Sequence, residues 1–362
     1  MGQRDDGERP LRRKRIGIKD VAKAANVSPT AVSYALNGTG RLDAETRKRV
    51  IAIAAELGYR ANHNARRLRN GRTGVIAIAA SVRPSLATML PMMDYLTTIW
   101  QAAAATALAR GYMLLLLPFG AGVSQLANVP LDGGIVVDPI AGDPMLDHFD
   151  RQSLPVVTIG QDMRHRPEEG WWVDNDHEGL TRQVLDHLTE RGARRIGAIL
   201  ADPHYEYTIA ARRAIETWSA EHGVAPLIAS LDELPTESAA YNAALKMLAD
   251  REAAPDAIFA HIDRFAVGTM FAAAAAGYVV PRDLMIVSGN DGPTTSGATV
   301  PITALDLGAE ALGRAAVEML IDRIEQRETA RRRIIPGRLI VRLSTEPQQD
   351  GTRDRRRRAV VN

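Results

Sequence analysis

Between positions 73 and 345 the chain alternates short apolar runs with longer stretches in which apolar residues return every three to four positions. The runs at 75–80, 113–117, 134–137, 156–159, 196–200, 257–260 and 285–288 have the length and content of buried strands. The stretches at 95–110, 180–191, 210–222, 238–250, 264–276 and 310–326 carry the helical period. Such alternation predicts βαβ units and parallel sheets covered by helices. About 270 residues of it exceed one typical domain, so two α/β lobes are expected.

Residues 16–60 follow the helical period alone. Ile18, Val21, Ala22 and Ala25 share one face, and Asn26-Val27 breaks it with a residue suited to a tight turn. Ser28 then stands at an N-cap position and Pro29 at the first helical position, where a missing N–H costs nothing. The helix 29–36 directs Ala31, Val32, Ala35 and Leu36 inward and Thr30, Ser33 and Tyr34 outward, and Asn37-Gly38 stops it. Asp43 caps a third helix, 44–57, with Val50, Ile51, Ala54 and Leu57 inward and Gly58 at its end. Two short helices, a tight turn and a supporting third helix make a helix-turn-helix module, whose second helix has the shape to enter a major groove.

Charge sharpens this picture. The formal net charge is only +2, but residues 1–73 hold 17 Lys+Arg against 7 Asp+Glu, and the rest holds 28 against 36. A basic module on an acidic body is expected where one end alone meets phosphate. A helical bundle used only for packing would not need it. Five segments result: a disordered basic arm (1–15), the headpiece (16–60), a basic linker (61–73), the α/β body (74–345) and a disordered basic tail (346–362). The absence of cysteine excludes disulfides, thiolate metal sites and a catalytic thiol. No apolar stretch is long enough to span a bilayer and no secretory signal is read at the start. A cytoplasmic, nucleoid-associated protein with no membrane attachment is expected.

The runs Ile18-Lys19-Asp20-Val21-Ala22, Val27-Ser28 and Val32-Ser33-Tyr34-Ala35-Leu36-Asn37-Gly38 resemble the headpiece of the LacI/GalR (lactose/galactose repressor) family. The resemblance continues through Thr46-Arg47, Leu57-Gly58-Tyr59, Asn62, Ala65-Arg66, Leu68 and Gly71-Arg72-Thr73-Gly74, then more weakly along the body. It implies a sequence-specific transcription regulator, in the first place a repressor, that binds a double-stranded pseudopalindromic operator as a homodimer. It further implies that Pro29, Thr30 and Tyr34 read bases, and that Ser28, Ser33, Asn37 and Arg41 contact the DNA backbone. Tyr34 stands where the family frequently has arginine, so a half-site less dependent on guanine is expected. Asn62, Ala65 and Leu68 fall in the segment that resembles the family's hinge helix, with Leu68 as the minor-groove wedge. Ala61 replaces the usual proline.

For the body the resemblance implies a two-lobed periplasmic-binding-protein-like (type I) fold, with a small-molecule effector between the lobes that controls DNA affinity. That agrees with α/β lobes, whose ligands sit at the carboxyl ends of strands. Asp263 and Asp291 match positions expected to meet an effector, Arg213 or its neighbour Arg212 substitutes for an effector arginine, and Trp218 is a candidate stacking platform. Other pocket positions depart from the family: Ile262 replaces an amide, Ser85–Pro91 replaces a conserved run, and the segment from Leu117 to Asp132 is shortened. An effector unlike a common sugar, or none, is therefore expected. Dimer or tetramer stays open, as do activation or repression and the effector's identity.

Competing functions fare worse. A solute-binding protein would share the body but not the headpiece. The side chains of Asp174, Asp176, His177 and Glu178 resemble a metal cluster only in composition, since helix capping at a strand-to-helix junction explains the carboxylates. His261-Ile262-Asp263 lacks a third ligand. No phosphate loop, nucleophile elbow or zinc-helix motif is present, so neither an enzyme nor any cofactor is expected.

Overall fold

The computed structural model describes residues 16–37, 40–59, 72–81, 94–118, 123–126, 128–163, 169–231 and 236–346. The arm 1–15, the hinge positions Asn62, Ala65 and Leu68, and the tail from 347 lie outside the described residues. The chain divides into two compact units, Met1–Arg72 and Thr73–Asn362.

The first unit holds three helices, α1 (Ile18–Ala25), α2 (Pro29–Asn37) and α3 (Ala44–Glu56). Asn26 adopts a left-handed conformation with φ 53°, which ends α1 and turns the chain into α2. The Ser28 hydroxyl accepts the Ala31 N–H at 3.1 Å, and Asp43 accepts the Thr46 N–H at 2.7 Å, so both following helices begin on a side-chain cap. Val21, Ala22, Ala25, Val32, Ala35, Val50 and Ala54 form the core. Ile51 and Leu57 are not part of it, against expectation, being 46% and 37% exposed. Val50 and Ala54, one turn apart, already face α1 and α2; Ile51 lies about 100° round the helix from Val50 and Leu57 follows the last turn.

The second unit begins with β1 (Val75–Ala80), α4 (Asp94–Ala109), β2 (Met113–Leu116), β3 (Gly133–Val137), α5 (Pro144–Arg151), β4 (Val156–Ile159) and β5 (Trp172–Asp174). A 3-10 turn, Val123–Leu126, is the described structure in the shortened segment before β3. There follow α6 (His177–Glu190), β6 (Ile196–Leu200), α7 (Glu206–Glu221), β7 (Leu227–Ser230), α8 (Glu237–Leu248), β8 (Ala257–Ala260), α9 (Asp263–Ala275), β9 (Met285–Ser288), α10 (Pro293–Ser296) and β10 (Thr303–Asp306). The last elements are α11 (Ala309–Ile324), β11 (Arg332–Ile334) and β12 (Arg338–Ile340).

These strands form two sheets of six, ordered β11-β5-β4-β3-β1-β2 in the first lobe and β12-β10-β9-β8-β6-β7 in the second. All described pairings are parallel except that of β12 with β10. Each sheet is apolar on both faces because helices cover both. In the first lobe α4 and α11 bury Ile76, Ile78, Ile135 and Val173, while Phe149 of α5 packs against the opposite face. In the second, Phe265 of α9 and Leu248 of α8 cover one face, Leu188 of α6 and Trp218 of α7 the other. Gly313 lets α11 press on α4: a Cβ there would stand 2.4 Å from the Ile99 carbonyl oxygen.

The chain passes between lobes three times, after β5, after β10 and after β11. Asn175, in the first crossing, is 2% exposed. Its amide donates to the carbonyl of Leu307 at 3.0 Å in the second crossing and to that of Ile335 at 2.8 Å in the third. No helix among the described residues is long and apolar enough to cross a membrane.

Candidate nucleic-acid interface and interlobe cleft

In the headpiece, burial of Val32 and Ala35 against α1 and α3 fixes which side of α2 is presented. Pro29, Thr30 and Tyr34 lie on the opposite side and are exposed, Tyr34 at 41%. Thr30 and Tyr34 are one turn apart and share a face. Ser28 and Arg41 are exposed, Ser33 is half-buried, and the Asn37 side chain lies outside the described residues. The α2 N-terminus adds backbone N–H groups, which attract phosphate. The arrangement offers a polar, rigid helical face of groove-reading size.

The interlobe cleft lies where the strands of both sheets end. Asp138 follows β3 with φ 49°, and Tyr95 stands in the first turn of α4. His177 opens α6, Tyr207 lies in the first turn of α7, His261 and Ile262 follow β8, Gly289 and Asn290 follow β9, and Leu307 follows β10. These nine residues enclose a cavity of about 60 Å³. Tyr205 stands behind Tyr207: its hydroxyl donates to the Ser81 carbonyl at 3.2 Å, its backbone bridges Ile140, and its ring stacks on that of Tyr207 at 5.4 Å.

Electrostatically the cleft is acidic. Asp138 has its carboxyl pushed up to about 7, first by burial and then by the charge of Asp174, with His177 opposing. His177 sits 3.1 Å from the Asp174 carboxylate. Burial disfavours its charge, but that hydrogen bond and the fields of Asp174, Asp138 and Glu206 outweigh burial and raise its pKa. His261 is pushed down to about 3 by burial, so it is neutral, and its Nδ1 has no hydrogen-bond partner. The buried Asp174 Oδ2 and Asn175 Oδ1 are likewise unpartnered. Among the described residues no group of three or more His, Cys, Asp or Glu could hold a metal ion.

Sequence reasoning named a different set. Asp263 comes nearest, since its backbone N–H donates to Asn290 at 2.7 Å and it adjoins Ile262 in the cleft wall. Asp291 is held by both terminal nitrogens of Arg342, at 2.7 and 2.8 Å. Arg213, 55% exposed, pairs with Glu178 and Glu206. Trp218 packs in the second lobe's core, its N–H on Asp186 at 3.0 Å and its ring stacked on His222. Asp138, Tyr95 and Tyr207 carry no motif of their own, and their only sequence signal is a place just beyond a strand end or in a first helical turn. A larger groove of about 780 Å³ lies between α6, with Arg182, Asp186, His187 and Glu190, and the third crossing, with Ile335 and Gly337.

Residues 17–62 match the family described as bacterial regulatory proteins, lacI family, and residues 185–345 match the periplasmic binding protein-like domain. The HTH-type transcriptional repressor PurR of Pectobacterium carotovorum subsp. carotovorum is 30% identical over 329 residues, covering 86% of this chain and 92% of that protein. The chain belongs to the lacI family. The HTH-type transcriptional regulator CelR of Thermobifida fusca is 28% identical over 335 residues, covering 90% of this chain and 96% of its own. Among solved structures, the CelR–cellobiose complex aligns with a TM-score of 0.69 at 25% identity, covering 91% of this chain and 100% of that one. The lac repressor dimer bound to operator and ONPF aligns at 0.71 over 92% of this chain and 99% of that one; at 21% identity it speaks for the fold. The protein is thus a DNA-binding transcriptional repressor of the lacI family, with a helix-turn-helix domain and a two-lobed α/β body.

Proposed function

We propose that this lacI-family protein binds a pseudopalindromic operator as a homodimer, and that a small molecule between the lobes controls its DNA affinity. The reading rests above all on the exposed Pro29, Thr30 and Tyr34 face carried by a buried three-helix core. Pro29, Thr30 and Tyr34 then read bases, Ser28, Ser33, Asn37 and Arg41 hold the backbone, and Leu68, with Asn62 and Ala65, supplies the minor-groove wedge. Self-association is supported by apolar side chains left exposed on helices, Leu108 at 74% and Phe271 at 56%. Effector control is supported by a cleft at the strand ends that His177 of the first crossing and Leu307 of the second border. A cytoplasmic, non-enzymatic role follows from this reading.

Selection of bound duplexes from a random library, with wild type and Leu68→Ala in parallel, tests it. A palindrome with a flexible central step, blurred in the variant, is expected. Binding without sequence preference would overturn the specific-operator reading.

A further inference from the structure

We infer, resting on the effector reading above, that the interlobe cleft takes a compact organic cation, an ammonium or amidinium group seated on Asp138 between the rings of Tyr95 and Tyr207. The charge of the wall is the first ground. Among the described residues no lysine or arginine lines the cleft; of its two histidines, His261 is neutral and His177 already faces Asp174. Asp138 lines it, and Asp174 and Glu206 act on it from behind. Arg213 does not reach it, being engaged by Glu178 and Glu206. An anionic ligand would meet the carboxyl of Asp138 with the field of Asp174 behind it.

Hydrogen-bond balance points the same way. No described group donates to the Asp138 carboxylate. Within the cleft wall, Nδ1 of His261, a residue 7% exposed, is buried without a partner. A ligand seated on Asp138 must therefore bring donors to that carboxylate. A polyol hydroxyl brings one donor and two lone pairs and leaves the carboxylate charge uncompensated. An ammonium brings three donors, no acceptor and the missing charge.

Shape completes the assignment. Tyr207 lies 5.3 Å from the His261 ring and 6.0 Å from that of His177, and Tyr95 faces in from α4, so a cation here meets aromatic surface. The cavity of about 60 Å³ holds roughly four to six non-hydrogen atoms, counting one per water-sized site. That suits a short amine and excludes a disaccharide from the closed lobes.

Calorimetric titration of the full chain near pH 7 tests the inference, with ethylamine and methylguanidine against glycerol, glucose, cellobiose and acetate. The amines are expected to bind and the neutral and anionic compounds not. Binding heat should vary with the buffer's ionisation enthalpy, because a cation displaces the proton that Asp138 shares in the field of Asp174, His177, Tyr95 and Tyr207. Asp138→Asn should weaken amine binding by roughly tenfold or more, the loss of one close charge pair. The buffer dependence needs no variant and stands if Asp138→Asn misfolds. Sugar or glycerol binding without amine binding overturns the cationic class while leaving an effector cleft in place. No binding by any compound also overturns it, and the operator selection above decides separately whether the regulator reading survives.

Discussion

The ring of Tyr34 lies directly against Gly40: a Cβ on the glycine would stand 2.5 Å from Cδ2 and 2.6 Å from Cγ. Gly40 has φ +72°, a conformation that itself disfavours a side chain. The exposed ring and the loop glycine thus form one unit. Gly40→Ala should lower operator affinity, because the ring must move as well as the backbone. Gly58→Ala is the control, since φ is +65° there and nothing lies within 4 Å. Both should lose about 1–2 kcal/mol of stability from the backbone alone. Equal losses of operator affinity, by fluorescence anisotropy, would reject the contact's role.

Tyr34→Arg should shift base preference toward guanine at the position that residue reads, because a guanidinium bonds O6 and N7 together. Tyr34→Ala should cost about 1–3 kcal/mol of discrimination there. Repeating the duplex selection with each variant measures both. An unchanged logo for Tyr34→Arg would remove Tyr34 from base reading.

Asp138 predicts a pH-dependent difference. A folded pKa of about 7 against 3.8 unfolded means that the folded protein keeps a proton the unfolded chain has released. Its ionisation cost is absent below about pH 4, grows as pH rises through the window, and is complete above about 7. Asp138→Asn should therefore gain stability relative to wild type across that window. The gain should be on the order of 1–3 kcal/mol once screening at the cleft mouth is allowed for. Urea melts at pH 5 and pH 8 give the sign; a difference that shrinks as pH rises would contradict the assignment.

Asn175→Ala should loosen the lobes. It removes two buried hydrogen bonds, each contributing about 0.5–1.5 kcal/mol, to the other two crossings. Small-angle scattering should show a larger radius of gyration for the body, and melting should come earlier. Destabilisation without any change in lobe separation would make Asn175 a fold residue only.

Asp291 and Arg342 form a bidentate pair with side chains 20% and 17% exposed. Their double-mutant cycle should show coupling of roughly 1–3 kcal/mol in stability. Coupling near zero would return Asp291 to the list of residues free to meet an effector.

The alternation of apolar runs made β1 to β4, β6, β8 and β9 readable, because a strand buried on both faces must be apolar throughout. β5 and β10, three and four residues long, are too short and mixed to show it. β11 and β12 escaped that logic: as edge strands they carry Arg332, Arg333 and Arg338, whose charges erase the apolar signature. α6 and α7 start three to four residues earlier than their apolar period suggests, since the first turns hold cap and cleft residues such as His177, Glu206 and Tyr207 rather than core ones. The same effect hid the cleft. Its residues lie one step past each strand end, where periodicity falls silent and only the three-dimensional meeting of distant loops brings Asp138 near His177. Trp218 looked like a ligand platform because indoles serve both uses, and here Asp186 satisfies its N–H inside the core.

The three crossings also set the order in which the molecule can be completed during synthesis. Strands β1 to β5 leave the ribosome first, yet Ile99 and Ile135 await α11 and β11, which come after β6 to β10. The lobe begun first is thus finished after most of the second, and its apolar face stays open to chaperones or to misassociation through much of translation. A premature stop just after Leu307 would leave most of the second lobe intact and strip the cover from the first.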